Sequence, residues 1–380
     1  MDGPQRNGRS PPSRGKRDRT EMIPAQASES QPIPVEPKPL RGKPYEKVVQ
    51  VGEGTYGKVY KARNREGLGL VALKRIRMEG EKDGFPVTAM REIKLLQGLE
   101  HENVIRLHEM MVSHGSVYMV FDYMEHDLTG VLNQAQFHFS EAHLKSLSQQ
   151  MLSGLSYLHR KSILHRDLKG SNILLNSQGI LKLADFGLAR FYNKKKRNDH
   201  TNRVITLWYR SPELLMGETV YGASVDMWSA GCIMLELFIR KPVFQGSDEI
   251  HQLEVIFSMM GTPHVRDWPG LGGLPWYELV KPKVEYASRL VDMFGSTISG
   301  PGLTVIQGLL EYDPARRLTA DEALSDPYFV SELPRPETPS HIAEVKGEWH
   351  EMEAKQDRAR KRHQEGQALA AEAASQTKQA

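Results

Sequence analysis

The apolar residues of this chain change their period partway along it, and that change constrains the fold more than any other feature of the sequence. Between Tyr45 and Asp122 they fall in short runs separated by glycine-containing turns: Val48-Val49-Gln50-Val51, Gly57-Lys58-Val59-Tyr60-Lys61-Ala62, Leu70-Val71-Ala72-Leu73-Lys74, and Ser116 to Asp122. Runs of that length and composition read as strands of an antiparallel sheet. One helix interrupts them, where Ala89, Ile93, Leu96 and Leu99 recur at helical spacing between Thr88 and Leu99. Beyond Ser140 the pattern is mostly helical. Ser140-Glu141-Ala142-His143 opens a periodic stretch to His159 with Ser140 as its N-cap, and further helices are expected at Ser224 to Phe238, Ile250 to Met260, Gly302 to Leu310 and Thr319 to Leu324. The join near Met124 to Gly130 is then a hinge between a small strand-rich lobe of about residues 44–124 and a larger helical lobe of about 125–329, an α+β arrangement.

The flanks differ from this body. Residues 1–43 are rich in Pro, Ser, Gly and Arg and poor in large apolar side chains, so they read as a disordered basic tail. Arg6, Arg9, Arg14, Lys16, Arg17 and Arg19 have no apolar run behind them, which excludes a secretory signal at this end. After Pro339 the extension at 330–380 turns charged and Ala-rich, with Lys355, Arg358, Arg360, Lys361 and Arg362 in a helical-looking run. At 39% hydrophobic and 26% charged residues, the composition is that of a globular protein, and no apolar stretch approaches the length needed to cross a bilayer. A formal charge of +3 is too small to argue for nucleic acid. The one cysteine, Cys232, excludes an internal disulfide and a Cys-based zinc site, and its apolar setting reads as a buried helix position.

The chemistry is concentrated in an ordered series. Gly52-Glu53-Gly54-Thr55-Tyr56-Gly57-Lys58-Val59 spaces its glycines so that a strand-turn-strand backbone can approach phosphates closely. An isolated match of this kind is an ordinary glycine-rich hairpin, and a dinucleotide-binding fingerprint is disfavoured because a strand follows it. What decides between these readings comes afterwards. Lys74 sits on the next strand and Glu92 on the following helix; then come His165-Arg166-Asp167-Leu168-Lys169-Gly170-Ser171-Asn172 and Asp185-Phe186-Gly187. These are the parts needed to transfer a phosphoryl group from a metal-bound nucleotide. Lys74 is a point charge suited to the α and β phosphates, and Glu92 would hold it in place. Asn172 and Asp185 offer hard oxygen ligands to Mg2+. Asp167 can accept a hydroxyl proton, and Lys169 can neutralise charge on the group in flight.

From about Tyr45 to Phe329 the chain resembles a eukaryotic serine/threonine protein kinase with its bilobal fold, and more narrowly a cyclin-dependent kinase. Pro86-Val87-Thr88-Ala89-Met90-Arg91-Glu92 resembles that family's cyclin-binding helix, and Thr206-Leu207-Trp208-Tyr209-Arg210 matches the end of its activation segment. The resemblance implies that a cyclin packs on the Pro86–Glu92 helix and swings Glu92 toward Lys74, and it adds Thr206 to the catalytic set. It implies ATP as the nucleotide, with Asp122 and Met124 at the hinge, Phe121 as gatekeeper, Asp127 on the ribose, and Val51, Val59, Ala72 and Leu174 around the base. It implies an activating phosphate on Thr201, placed there by an upstream kinase and clamped by Arg91, Arg166 and Arg190. Thr55 and Tyr56 stand where related kinases take inhibitory phosphates, with a plain loop role as the competing reading.

Within the family, Gly84-Phe85-Pro86, Lys169-Gly170-Ser171-Asn172-Ile173-Leu174-Leu175 and Thr201-Asn202-Arg203-Val204-Ile205-Thr206 resemble the transcriptional branch. Members of that branch modify the heptad-repeat C-terminal domain of RNA polymerase II in the nucleus. They pair with a cyclin K-like or C-terminal-domain kinase beta subunit, and some have a third subunit. Val204 and Ile205 lie where the family shapes a pocket for the proline of a Ser-Pro substrate. Gly170 replaces the commoner Pro of the catalytic loop, and Ser211-Pro212-Glu213 stands where many kinases have Ala-Pro-Glu. Neither change removes a catalytic group, and Glu213 can still pair with Arg317. Trp349-His350-Glu351, followed by the basic run, is similar to a C-terminal extension of this branch that folds back over nucleotide; a solvated charged helix or a nuclear-localisation signal is the competing reading. A pseudokinase scaffold and a cell-cycle or other cyclin-dependent kinase remain as alternatives.

Overall fold

Gly57 sets the first turn of the sheet, because its φ of +138° and the nearness of its would-be Cβ to the Arg75 carbonyl oxygen exclude any side chain there. The computed structural model describes residues 45–54, 57–65, 69–77, 85–192 and 200–351. The readings made for residues 1–43, for Thr55, Tyr56 and the Glu53 side chain, for Gly84, and for the basic run from Lys355 to Arg362 lie outside the described residues. Strands β1 (Tyr45–Gly54), β2 (Gly57–Asn64), β3 (Leu70–Arg75), β4 (Leu107–Ser113) and β5 (Ser116–Asp122) form an antiparallel sheet in the order β1-β2-β3-β5-β4. Helix α1 (Val87–Leu96) lies between β3 and β4 in the chain. The period of two divides β3 by face: Val71 and Leu73 are buried with Ala62, Met111, Tyr118 and Val120, so Ala72 and Lys74 point to the other side. The sequence patterning did not pick out β4. It is an edge strand carrying His108 and Glu109, and half-exposed edges lack a strong apolar signal.

The helical lobe begins with a short pairing strand, β6 (His126–Asp127), and α2 (Leu128–Leu132). It continues through α3 (Glu141–Arg160), β7 (Ile163–Leu164), β8 (Ile173–Leu175), β9 (Leu181–Leu183) and β10 (Arg190–Phe191). Then follow α4 (Pro212–Leu215), α5 (Ser224–Ile239), α6 (Glu249–Met260), α7 (Tyr277–Val280), α8 (Leu290–Phe294), α9 (Gly300–Leu309), α10 (Ala320–Leu324) and α11 (Pro327–Val330). Ser140 caps α3 as expected, and His143 closes a reciprocal capping box with it. Helix α9 starts two residues before the expected Gly302 because Ser299 caps the Gly302 N–H and Pro301 fits the first turn. Helix α5 is buried from Val225 to Leu237, Cys232 included, and the core is built around it. Among the described residues no helix is long and apolar enough to cross a membrane.

Candidate active site

Three buried contacts fix the loop that carries the catalytic residues. Asp226 on α5 is fully buried; its carboxylate accepts the backbone N–H of His165 and of Arg166, each at 2.9 Å, and the His159 Nε2–H at 3.0 Å. His165 Nε2 lies 3.0 Å from the Ala184 carbonyl, which can only accept, so the proton sits on Nε2 and Nδ1 receives the Asp167 N–H at 3.3 Å. Arg166 and Asp185 both adopt left-handed backbone, with φ of +65° and +62°. For non-glycine residues this is strained, and the packing around them has to hold it.

On that frame the expected residues converge. Lys74 Nζ lies 2.8 Å from Glu92 Oε1 and 2.9 Å from Asp185 Oδ1, which joins β3, α1 and the turn after β9. Burial works against the Lys74 charge, yet the two carboxylates outweigh it and its pKa lies above the usual lysine range. Burial likewise acts to raise the Asp185 pKa, and the Lys74 ammonium overcomes it and holds the carboxyl below its ordinary value. Asp167 is oriented from several sides. Its Oδ1 accepts the Thr206 hydroxyl at 3.0 Å, and its Oδ2 accepts Asn172 Nδ2 at 3.0 Å with Lys169 Nζ at 3.2 Å. Asn172 Nδ2 donates as well to the Asp167 carbonyl at 2.8 Å, so the amide oxygen is the group left for another partner.

Lys74, Glu92, Asp167, Lys169, Asn172 and Asp185 line a cleft of about 560 Å3 between the lobes. Val51, Gly52, Gly57, Val59 and Ala72 line its N-lobe side, Phe121, Asp122 and Met124 its hinge, and Leu174 its floor. Gly54 closes the hairpin above, paired with Gly57. The cleft is apolar around the hinge and charged at its far end, as a base with a phosphate tail requires. Asp122 also accepts His108 Nε2 at 2.6 Å, a bond that keeps its carboxyl below the ordinary range.

Two further expectations concern Asp127 and Thr201. Asp127, assigned to a ribose, lines the cleft with both carboxylate oxygens engaged: Oδ1 caps α2 through the Gly130 N–H at 2.7 Å, and Oδ2 accepts the Glu351 N–H at 2.7 Å. His350 and Glu351 of the C-terminal extension, part of the Trp349-His350-Glu351 segment singled out in the sequence, themselves line the cleft, more than 200 residues from Asp127 along the chain. The arginines assigned to Thr201 are not gathered on it. Thr201 is exposed, and its carbonyl accepts the Tyr221 hydroxyl at 2.6 Å, whose oxygen receives Arg166 NH1 at 3.0 Å. Arg166 Nε bonds the Leu188 carbonyl at 2.8 Å and Arg190 NH1 the Ala189 carbonyl at 2.7 Å, while Arg91 is exposed on α1. Among the described residues neither Arg91 nor Arg190 hydrogen-bonds Thr201. Tyr221, which links Arg166 to Thr201, has no sequence signal of its own.

A two-lobed fold, a Lys-Glu pair across sheet and helix, and an Asp-Lys-Asn loop under the cleft define a phosphotransferase, and this chain belongs to the protein kinase family, whose protein kinase domain matches residues 45–329. It is 55% identical over 344 residues to the protein named CTD kinase subunit alpha of Schizosaccharomyces pombe, a match covering 88% of this chain and 58% of that relative. It is 45% identical over 300 residues to Cyclin-dependent kinase 9 of Homo sapiens, covering 76% of this chain and 81% of the relative. The solved structure described as "Crystal Structure of the yeast RNA Pol II CTD kinase CTDK-1 complex" superposes with a TM-score of 0.74 at 46% identity, covering 81% of this chain and 99% of that one. The chain thus spans less than two thirds of the length of the fission-yeast relative.

Proposed function

We propose that this chain is a cyclin-dependent serine/threonine kinase that transfers the γ-phosphate of ATP to Ser-Pro sites in the heptad repeats of the RNA polymerase II C-terminal domain, and acts in the nucleus during transcription elongation. The observation that carries the reading is Lys74 bonded at once to Glu92 and Asp185, over an Asp167 that Thr206, Lys169 and Asn172 hold in one orientation. In this reading residues 44–329 are the kinase domain, 1–43 a basic tail and 330–380 an extension. Lys74 binds the α and β phosphates; Asp167 accepts the proton of the serine hydroxyl; Lys169 neutralises charge on the phosphoryl group as it passes. The donor set fits magnesium, because the Asn172 amide oxygen and the Asp185 carboxylate are hard oxygen ligands beside the phosphate end of the cleft. Asn172 and Asp185 would hold magnesium there, and it would offset the charge of the phosphates.

Proline selectivity has its own support. Ile205 has a left-handed backbone, φ +67°, and its carbonyl is held by Arg210 NH2 at 3.0 Å and Nε at 3.3 Å. That carbonyl is therefore committed. A residue after the serine that brings a backbone N–H finds no acceptor there, whereas proline has no N–H to satisfy. For the cyclin, Val87 and Met90 stand outward on α1, 66% and 42% exposed, beside a helix start with no side-chain cap. A cyclin K-like or beta-subunit partner, and a third subunit after it, would cover that face. The test is phosphate incorporation into a heptad-repeat peptide by the cyclin-bound chain with ATP and magnesium. Incorporation that is absent, or that survives Asp167→Asn, overturns the proposal.

A further inference from the structure

The C-terminal extension runs from one lobe to the other, and it is fastened at both ends. On the helical lobe the fully buried Lys145 donates to Glu332 Oε2 at 3.0 Å and to the Pro334 carbonyl at 2.9 Å. Farther on, His341 stacks on Phe137 and on His143, with ring centroids 4.9 Å and 4.5 Å away. Trp349 then joins β6: its carbonyl accepts the Asp127 N–H at 3.0 Å, and its own N–H reaches His126 Nδ1 at 3.1 Å. Gly130 makes that approach feasible. A Cβ on Gly130 would sit 2.2 Å from the Trp349 carbonyl oxygen, so any other residue at this position of α2 would push the extension off.

One residue before Trp349 the extension reaches the other lobe. Glu348 Oε1 accepts Lys61 Nζ, and Oε2 accepts the Tyr123 hydroxyl at 2.6 Å. Lys61 lies on β2 opposite Ala72 of β3, on the face that looks into the cleft, and Tyr123 is the first residue after β5. The Lys61 ammonium also stands 4.8 Å from the Tyr123 ring centre. The three side chains thus close a ring of contacts around the start of the hinge. Burial acts to raise the Glu348 pKa, and the bonds from Lys61 and Tyr123 overcome it and keep the carboxyl ionised across neutral pH.

We propose that Glu348 is a positioning residue: through Lys61 and Tyr123 it makes the extension a further connection between the lobes, beside the hinge, one that sets the angle of the N-lobe over the cleft. The consequence reaches Val51, Val59 and Ala72, which line the cleft from the sheet that Lys61 belongs to. Without the clasp, the hinge, the Lys74–Asp185 pair and the backbone bonds between Ile105 and Leu183 still join the lobes, but nothing ties the hinge-side end of β2 to the extension. The inference rests on the nucleotide reading of the cleft for its effect on ATP, and on geometry alone for its effect on the hinge.

The experiment uses the full chain with its cyclin, as wild type, Glu348→Ala, Glu348→Gln, Gly130→Ala, and the Gly130→Ala/Glu348→Ala double variant. Amide hydrogen exchange without nucleotide is read over residues 58–62 and 117–125, and KM for ATP and kcat are read with nucleotide. Glu348→Ala and Gly130→Ala are expected to speed exchange in both segments and to raise KM for ATP about fivefold at nearly constant kcat, the size of one partly exposed charged contact. Glu348→Gln, which keeps an acceptor for one partner, falls between. The double variant is expected to match the larger single variant, because both break one strap. Unchanged exchange at the hinge, fully additive effects, or a fall in kcat and melting temperature with no change in KM overturns the proposal. A wild type that binds no nucleotide while exchange still responds to both variants would overturn the nucleotide reading and leave the strap standing.

Discussion

The Lys74 cluster and the arginines assigned to Thr201 are made of the same kinds of group, yet one is closed and the other open. Lys74 and Glu92 have side chains 12% and 2% exposed and meet at 2.8 Å, with Asp185 on the same ammonium. The Glu213–Arg317 pair is as closed, at 2.8 Å with side chains 2% and 0% exposed. Around Thr201, by contrast, Arg166 and Arg190 turn to backbone carbonyls and to Tyr221, and Arg91 faces solvent. The difference follows from charge balance. In the closed clusters Lys74 and Arg317 each meet a carboxylate of the chain, whereas Arg166 and Arg190 bond carbonyl groups and Tyr221, and like-charged guanidinium groups are drawn together by an anion. A phosphate on Thr201 would supply it.

Asp167→Asn tests the closed side most severely. It retains the shape and most hydrogen bonds of the group and removes the proton acceptor, so activity should fall roughly 10²- to 10⁴-fold with the melting temperature nearly unchanged. A steady-state assay beside a thermal melt reads both, and a fall of less than tenfold would break the assignment. Arg317→Ala attacks the other closed cluster. It leaves the buried Glu213 carboxylate without its partner and should cost about 3–5 kcal/mol of stability. Denaturant unfolding measures this, and a loss under 1 kcal/mol would mean that water enters the pocket.

Thr201→Ala tests the open side. Removing the phosphate acceptor should lower the activity of the cyclin-bound, phosphorylated chain roughly tenfold to a hundredfold, since a few charge-assisted hydrogen bonds fail to form. The melting temperature should stay put, because Thr201 is exposed and its carbonyl, not its side chain, meets Tyr221. If Thr201→Ala unfolded the chain or left its rate intact, the contrast between closed and open clusters would fail.

How much of this was legible in the sequence follows the same division. Lys74, Glu92, Asp167, Asn172 and Asp185 could be read because each sits in a short motif whose neighbours declare its chemistry, and the strand and helix periods place those motifs in order. The change of period near the hinge gave the two lobes, and Ser140 gave the start of α3. What stayed hidden depends on contacts made far along the chain. Asp226 and Tyr221 act on residues some 60 and 20 positions away, at Arg166 and Thr201. Glu348 meets Lys61 and Tyr123 across more than 200 residues, and Gly130, in the sequence only the end of the hinge join, shows its use once the Trp349 backbone is laid against it. Asp127 shows what a motif leaves out: it lines the cleft, and the sequence does not tell that each of its oxygens also accepts a backbone N–H, from Gly130 and Glu351.

Glu236 is a third kind of buried charge and gives the smallest expected effect. It lies on α5, 3% exposed, and its Oε2 accepts the Tyr209 hydroxyl at 2.7 Å. Burial pushes its carboxyl up to about 7 from 4.5; the Tyr209 bond opposes the shift, and the Glu351 carboxylate adds to it. Between those two pH values the folded chain keeps a proton that the unfolded chain has released. The stability from this group is therefore full below about 4.5, declines as pH rises, and is lost above about 7. Glu236→Gln fixes the side chain in a neutral form of the same shape and removes that slope. Thermal melts at several pH values from 5 to 8 should show the variant gaining on the wild type by a few degrees as pH rises. A constant difference across that range would mean that Glu236 titrates near its ordinary value, and that a buried carboxylate in this lobe can stay charged with a tyrosine hydroxyl as its partner.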